Sequence, residues 1–187
     1  MSLTKEKVIK NFKKFYSTGE KYGFLTEDLK EFLGEDLMSA PATDKLDLNN
    51  AFEGGLIDHT LLVTKYAVSI NGILPEALKV DLTSLIKVCC LHQIGKARLF
   101  TPCESEWHRE NQGKMYEYNE DLISMRVGER SVSYALSNGV ELNEAEFQAI
   151  INFDKGFDKM AKWHSTMLGT ILKQANELAI KEEKANG

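Results

Sequence analysis

Two histidines in this chain stand where an imidazole could do chemistry. The first is His92, in the string Leu91-His92-Gln93-Ile94-Gly95-Lys96, which follows an apolar helical run and ends in a glycine suited to closing a helix C-terminus. Adjacent polar residues at the end of a buried helix are costly unless they meet partners, so His92 and Gln93 either pair inside the bundle or line a cavity. Read alone, the string favours a satisfied core histidine beside an exposed glutamine. The second is His59, in Gly54-Gly55-Leu56-Ile57-Asp58-His59-Thr60-Leu61, where a glycine pair opens an amphipathic helix. His59 shares a face with Leu62, Val63 and Tyr66 at i+3, i+4 and i+7, so its ring points inward. Asp58 lies to the side and is the weaker candidate.

Taken together, these strings resemble the HD superfamily of metal-dependent phosphohydrolases. There a histidine after a glycine-leucine start, a His-Asp pair in an LLHDIGK-like string and a distant aspartate in an ADxLA-like string hold one or two metal ions. His59 and His92 match the two histidines, and Lys96 matches the lysine. Gln93 stands where the paired aspartate belongs. The last string is similar to Gln174-Ala175-Asn176-Glu177-Leu178-Ala179, which puts Asn176 in place of the final aspartate. The resemblance covers roughly residues 50–183 and implies an all-α, HD-domain-like helical bundle. It implies a metal set of His59, His92, Gln93 and Asn176, with both acidic ligands turned into amides. Such a neutral set is a poor trap for magnesium or manganese, which prefer carboxylates, so the cofactor expected is none or a weakly held divalent transition metal.

The elements that must position these residues follow from periodicity. Leu3 to Tyr16 is a packing helix carrying Val8, Ile9, Phe12, Phe15 and Tyr16, with lysines opposite as a solvated face. Glu27 to Leu33 is a second helix stopped by Gly34, and residues 35–50 lose periodicity as a loop. The His59 helix runs to Gly72, and Asp81 caps a helix from Leu82 to Ile94. Residues 100–125 are irregular. Within them Met115-Tyr116-Glu117-Tyr118 suggests a short β-hairpin arm around 112–119, more a satellite core than a lid. His108 stands alone there and joins no ligand set.

Ile123 to Leu136 reads as a helix with Arg126, Glu129 and Arg130 on one face, either a salt-bridge network or a pair of guanidinium groups for phosphate. With Lys96, these two arginines form the expected phosphate-binding set. Asn143 with Glu146 makes a capping box, and Asn152-Phe153-Asp154 stands where many HD proteins place further histidines. The last helix spans Ser165 to Glu183, with Lys181 to Gly187 frayed.

Bulk properties bound the rest. The chain has 187 residues, 43% hydrophobic and 27% charged, which suits one domain: residues 1–49 as N-terminal helices and loop, then the core. A net charge of −5 gives no strong nucleic-acid signal. No apolar run is long enough for a membrane span, and no signal peptide is evident. Three cysteines, two of them adjacent, suit reduced thiols in the cytoplasm. The functional expectation is a phosphohydrolase-like protein with a nucleotide or phosphoester pocket and a small phosphorylated ligand as partner; the alternative is a non-catalytic relative that binds a nucleotide, another anion or a protein. Homo-oligomer formation is left open.

Overall fold

The computed structural model describes residues 2–154 and 165–186. Eight α-helices and one two-stranded sheet organise the described residues, as the helical periodicities require. No helix among them is long and apolar enough to cross a membrane.

The helices begin where side-chain oxygens can satisfy their first free amides. Thr4 accepts from Lys7 N ahead of α1 (Lys5–Lys21), and Thr26 accepts from Leu29 N ahead of α2 (Glu27–Ser39). Gly34, expected to end α2, instead sits at φ 45° and breaks its line, after which the chain continues to Ser39. The glycine pair opens α3 (Gly55–Ile73), which runs through Gly72 because nothing there stops it. Asp81 caps α4 (Leu82–Leu91) through Ser84 N at 2.8 Å.

That helix ends three residues short of Ile94, and a separate 3₁₀ turn, Ile94–Lys96, follows. Gly95 therefore does not cap α4. A Cβ there would lie 2.7 Å from the Val127 carbonyl oxygen and 2.8 Å from Ser131 N, so the glycine admits a neighbouring helix.

That neighbour is α6 (Val127–Ser137). It starts four residues later than Ile123, and Arg126 precedes it in extended conformation, so Arg126 does not share a helical face with Arg130. Ser131 Oγ ties the two elements, accepting from Gly95 N at 2.9 Å and donating to His92 O at 3.0 Å. The expected arm is real as a strand but its partner lies further upstream. β1 (Phe100–Pro102) pairs antiparallel with β2 (Tyr116–Tyr118), and α5 (Glu106–Gln112) fills the connection. No tight turn within 112–119 closes it.

The capping box of Asn143 and Glu146 opens α7 (Glu144–Asn152). Its Glu146 also accepts from Ser84 Oγ at 2.7 Å and Lys87 Nζ at 2.9 Å, joining α7 to α4. The last helix, α8 (Met167–Asn186), packs along α3 and against α4 and α7. One core runs between them, with Leu56, Leu85, Leu91, Ile150 and Ile171 almost fully buried. Burying each such side chain stabilises by about 1.5–3 kcal/mol, so these layers fix where the polar residues on their inner faces must meet.

Candidate functional site

Three separate elements deliver four polar side chains to one point inside this core. His59 comes from the first turns of α3, and His92 and Gln93 follow the end of α4. Asn176 comes from the middle of α8. His59 Nε2 lies 2.9 Å from Asn176 Oδ1, and Gln93 Nε2 lies 3.2 Å from the same oxygen and 3.3 Å from His59 Nε2. The two imidazole centroids are 6.4 Å apart. All four residues are buried, His92 completely.

A second layer holds the rings in place. Glu183, two turns beyond Asn176 on the same face of α8, puts both carboxylate oxygens within 2.9–3.0 Å of His59 Nδ1. Asn49 and Asn50 donate to that carboxylate at 2.9 and 3.0 Å. Asn176 Oδ1 on one side and the Glu183 carboxylate on the other thus flank the two His59 nitrogens and fix the plane of the ring. His92 behaves differently. Its Nδ1–H donates to Cys89 O at 2.7 Å, while Nε2 has no partner. Burial, with the neighbouring His59 second, drives its pKa down to about 3, so the ring is neutral at ordinary pH. Phe153 meets it edge-on at 4.8 Å.

The metal implied by the resemblance can be tested against these atoms. Both Nδ1 positions are fixed by oxygens, the second-layer arrangement that aims Nε2 of a histidine at an ion. Two imidazoles on one tetrahedral ion at ~2 Å each have ring centres roughly 5 Å apart, so the two rings, at 6.4 Å, would have to close toward each other to share one. The unpaired buried atoms next to that point are His92 Nε2 and Gln93 Oε1, both acceptors in these states. Inward-facing acceptors suit a cation or a donor such as water, and they do not suit a phosphate. The set is neutral, however, and among the described residues no three of His, Cys, Asp and Glu gather as a metal cluster. The donor types thus suit a weakly held ion that favours imidazole, such as zinc, nickel or copper, once the rings close on it, and do not suit magnesium or manganese. His59, His92, Gln93 and Asn176 would hold it, and when bound it would supply Lewis acidity.

The expected phosphate-binding residues are placed differently from one another, and Lys96 lies close enough to this centre to act on His92 and to feel Glu183. Lys96 Nζ donates to Ala42 O at 2.6 Å; burial pulls its pKa to about 8, against the raising influence of Asp154, Glu183 and Asp44. Arg130 is buried and donates to Ile123 O at 2.6 Å, with Nε unpaired. Arg126 is exposed ahead of α6. Each carbonyl takes a single N–H of its cation, and Arg130 Nε is left without a partner.

No protein-family model, curated protein or solved structure matches the chain. The site is therefore read from its own geometry.

Sequence reasoning placed the four central residues and missed the layer behind them. Glu183 fell in the tail expected to fray, yet its side chain is 6% exposed and α8 continues past it to Asn186. The available signal was its i+7 spacing from Asn176. Nothing comparable marked Asn49 and Asn50, which reach Glu183 from an irregular loop. Cys89 and Cys90 are buried thiols pushed up by desolvation, Cys90 to about 12, and are inert as nucleophiles.

Proposed function

We propose that this chain is a non-hydrolytic relative of the HD superfamily, a helical domain that acts by binding. One observation carries the reading. His59 of α3 and His92 just past α4 come together inside the core, and His59 Nε2 meets the amides of Asn176 and Gln93 where carboxylates would be needed for a hydrolytic ion. The HD-like arrangement of α3, α4 and α8 rests on the same convergence.

The chemistry follows from charge. A hydrolytic centre of that type uses anionic ligands to hold a divalent ion and favour an attacking water. Gln93 and Asn176 keep oxygens of similar reach but remove two negative charges. The remaining carboxylate, Glu183, is engaged by His59, Asn49 and Asn50. Lys96 and Arg130 each hold a backbone carbonyl oxygen, and the orphaned buried atoms of His92 and Gln93 are acceptors, which do not suit a phosphate.

Purified protein should be assayed against nucleoside monophosphates and triphosphates and an aryl phosphodiester, with manganese, nickel or zinc. Turnover should not exceed that of the metal alone. Turnover that disappears in both His59→Ala and His92→Ala would contradict the reading and restore the phosphohydrolase alternative.

A further inference from the structure

A groove of about 450 Å³ lies on the outer side of the Glu183 cluster, between α1, the loop before α3, and α8. It adjoins the histidine centre through Glu183, which lines the groove and holds His59, and its size is that of a small-molecule site. One wall is aliphatic. Leu46 and Leu48 are 55% and 40% exposed, although their backbone is anchored by Leu46 N donating to Gly113 O and Leu48 N to Lys45 O. Leu61 and Leu62 of α3 face them, with Phe52 beside. An anchored loop that keeps leucines in water over a groove leaves apolar area for something else to cover.

The charges divide into two kinds. On the floor, Asp58 accepts from Asn11 Nδ2 at 2.8 Å and Asn50 Nδ2 at 3.4 Å, and Glu182 accepts from the Tyr66 hydroxyl. Glu183 is held by His59 and the two asparagines. These three carboxylates are committed to protein donors. Lys7, Lys14 and Lys65 also line the groove, and no carboxylate among the described residues pairs with any of them. Lys7, Asn11 and Lys14 fall at i, i+4 and i+7 of α1, so they form one stripe along the groove.

We propose that this groove binds a small amphipathic anion with an aliphatic body and a carboxylate or phosphate head. The body lies on the leucine wall, and the head meets Lys7, Lys14 and Lys65, the cations of the lining. A nucleotide fits less well, since its base would look for stacking partners and the wall offers one aromatic ring. The assignment does not depend on the HD reading.

Calorimetric titration of the full chain with decanoate and with decyl phosphate tests it, and the better of the two identifies the head group. Saturable one-site binding is expected, weakening as salt rises because the lysines are exposed. Lys7→Glu with Lys14→Glu should weaken it roughly tenfold, as a few exposed charge contacts together provide about that much. Leu48→Ser should weaken it while leaving the salt dependence intact. The proposal is overturned if neither anion binds or if the double lysine variant binds as wild type does. It is equally overturned if decyltrimethylammonium binds as well as decanoate, or if adenosine monophosphate binds better. Decanoate binding alongside genuine phosphoester turnover would defeat the proposed function and leave the groove standing.

Discussion

Glu183 is 124 positions from His59 in the chain and 2.9 Å from its Nδ1. The pair closes the C-terminal part of α8 onto the start of α3, and it fixes which way the His59 ring faces. Both side chains are nearly excluded from water, at 1% and 6% exposure. At such burial the desolvation of the carboxylate offsets much of the attraction, so the pair chiefly specifies geometry.

Removing one partner is a different matter. Glu183→Ala should cost about 3 kcal/mol of unfolding free energy, because it leaves the His59 ring without its acceptor and two asparagine amides without theirs. Denaturant unfolding measures this directly. A loss below about 0.5 kcal/mol would mean that the carboxylate is solvated and does not hold α8.

A second prediction concerns Gly95. The Cβ of Gly95→Ala would press on backbone of α6, at 2.7 Å from Val127 O and 2.8 Å from Ser131 N. Backbone yields poorly, so the substitution should destabilise by roughly 1–3 kcal/mol. It should also disturb the Ser131 link between Gly95 N and His92 O, and the His92 ring resonance should shift in the NMR spectrum. An alanine variant with wild-type stability would show that α6 does not pack against the 3₁₀ turn.

The legibility of this protein in its sequence divides along physical lines. The helices were readable because apolar residues repeat and because Asp81 and Asn143 announce their starts. His59 and His92 were readable as inward-facing from their neighbours' spacing, and the resemblance tied them to Gln93 and Asn176 across three elements. Helix ends were less readable. Gly34 and Gly95 look alike as terminators, yet the first bends a helix and the second makes room for another. That difference lies in tertiary packing. Glu183 was hidden for a related reason: a lysine- and glutamate-rich tail looks solvated until the loop carrying Asn49 and Asn50 is folded against it. Lys96 and Arg130 were expected to be phosphate ligands, and the backbone carbonyls they hold, Ala42 O and Ile123 O, leave no side-chain signature in a sequence.

The central claim is that amides at positions 93 and 176 keep this centre from holding a hard divalent ion. Replacing both by carboxylates, Gln93→Asp with Asn176→Asp, adds two negative charges inside a buried site, where charges act far more strongly than in water. Manganese affinity, measured by calorimetric titration of wild type, both single variants and the double variant, tests the claim most directly. Wild type should show no stoichiometric binding and the singles a partial gain. The double variant should bind clearly, and without metal it should be less stable than wild type, because its carboxylates crowd together. Stoichiometric manganese in wild type, or a double variant that binds no better than wild type, would contradict the account.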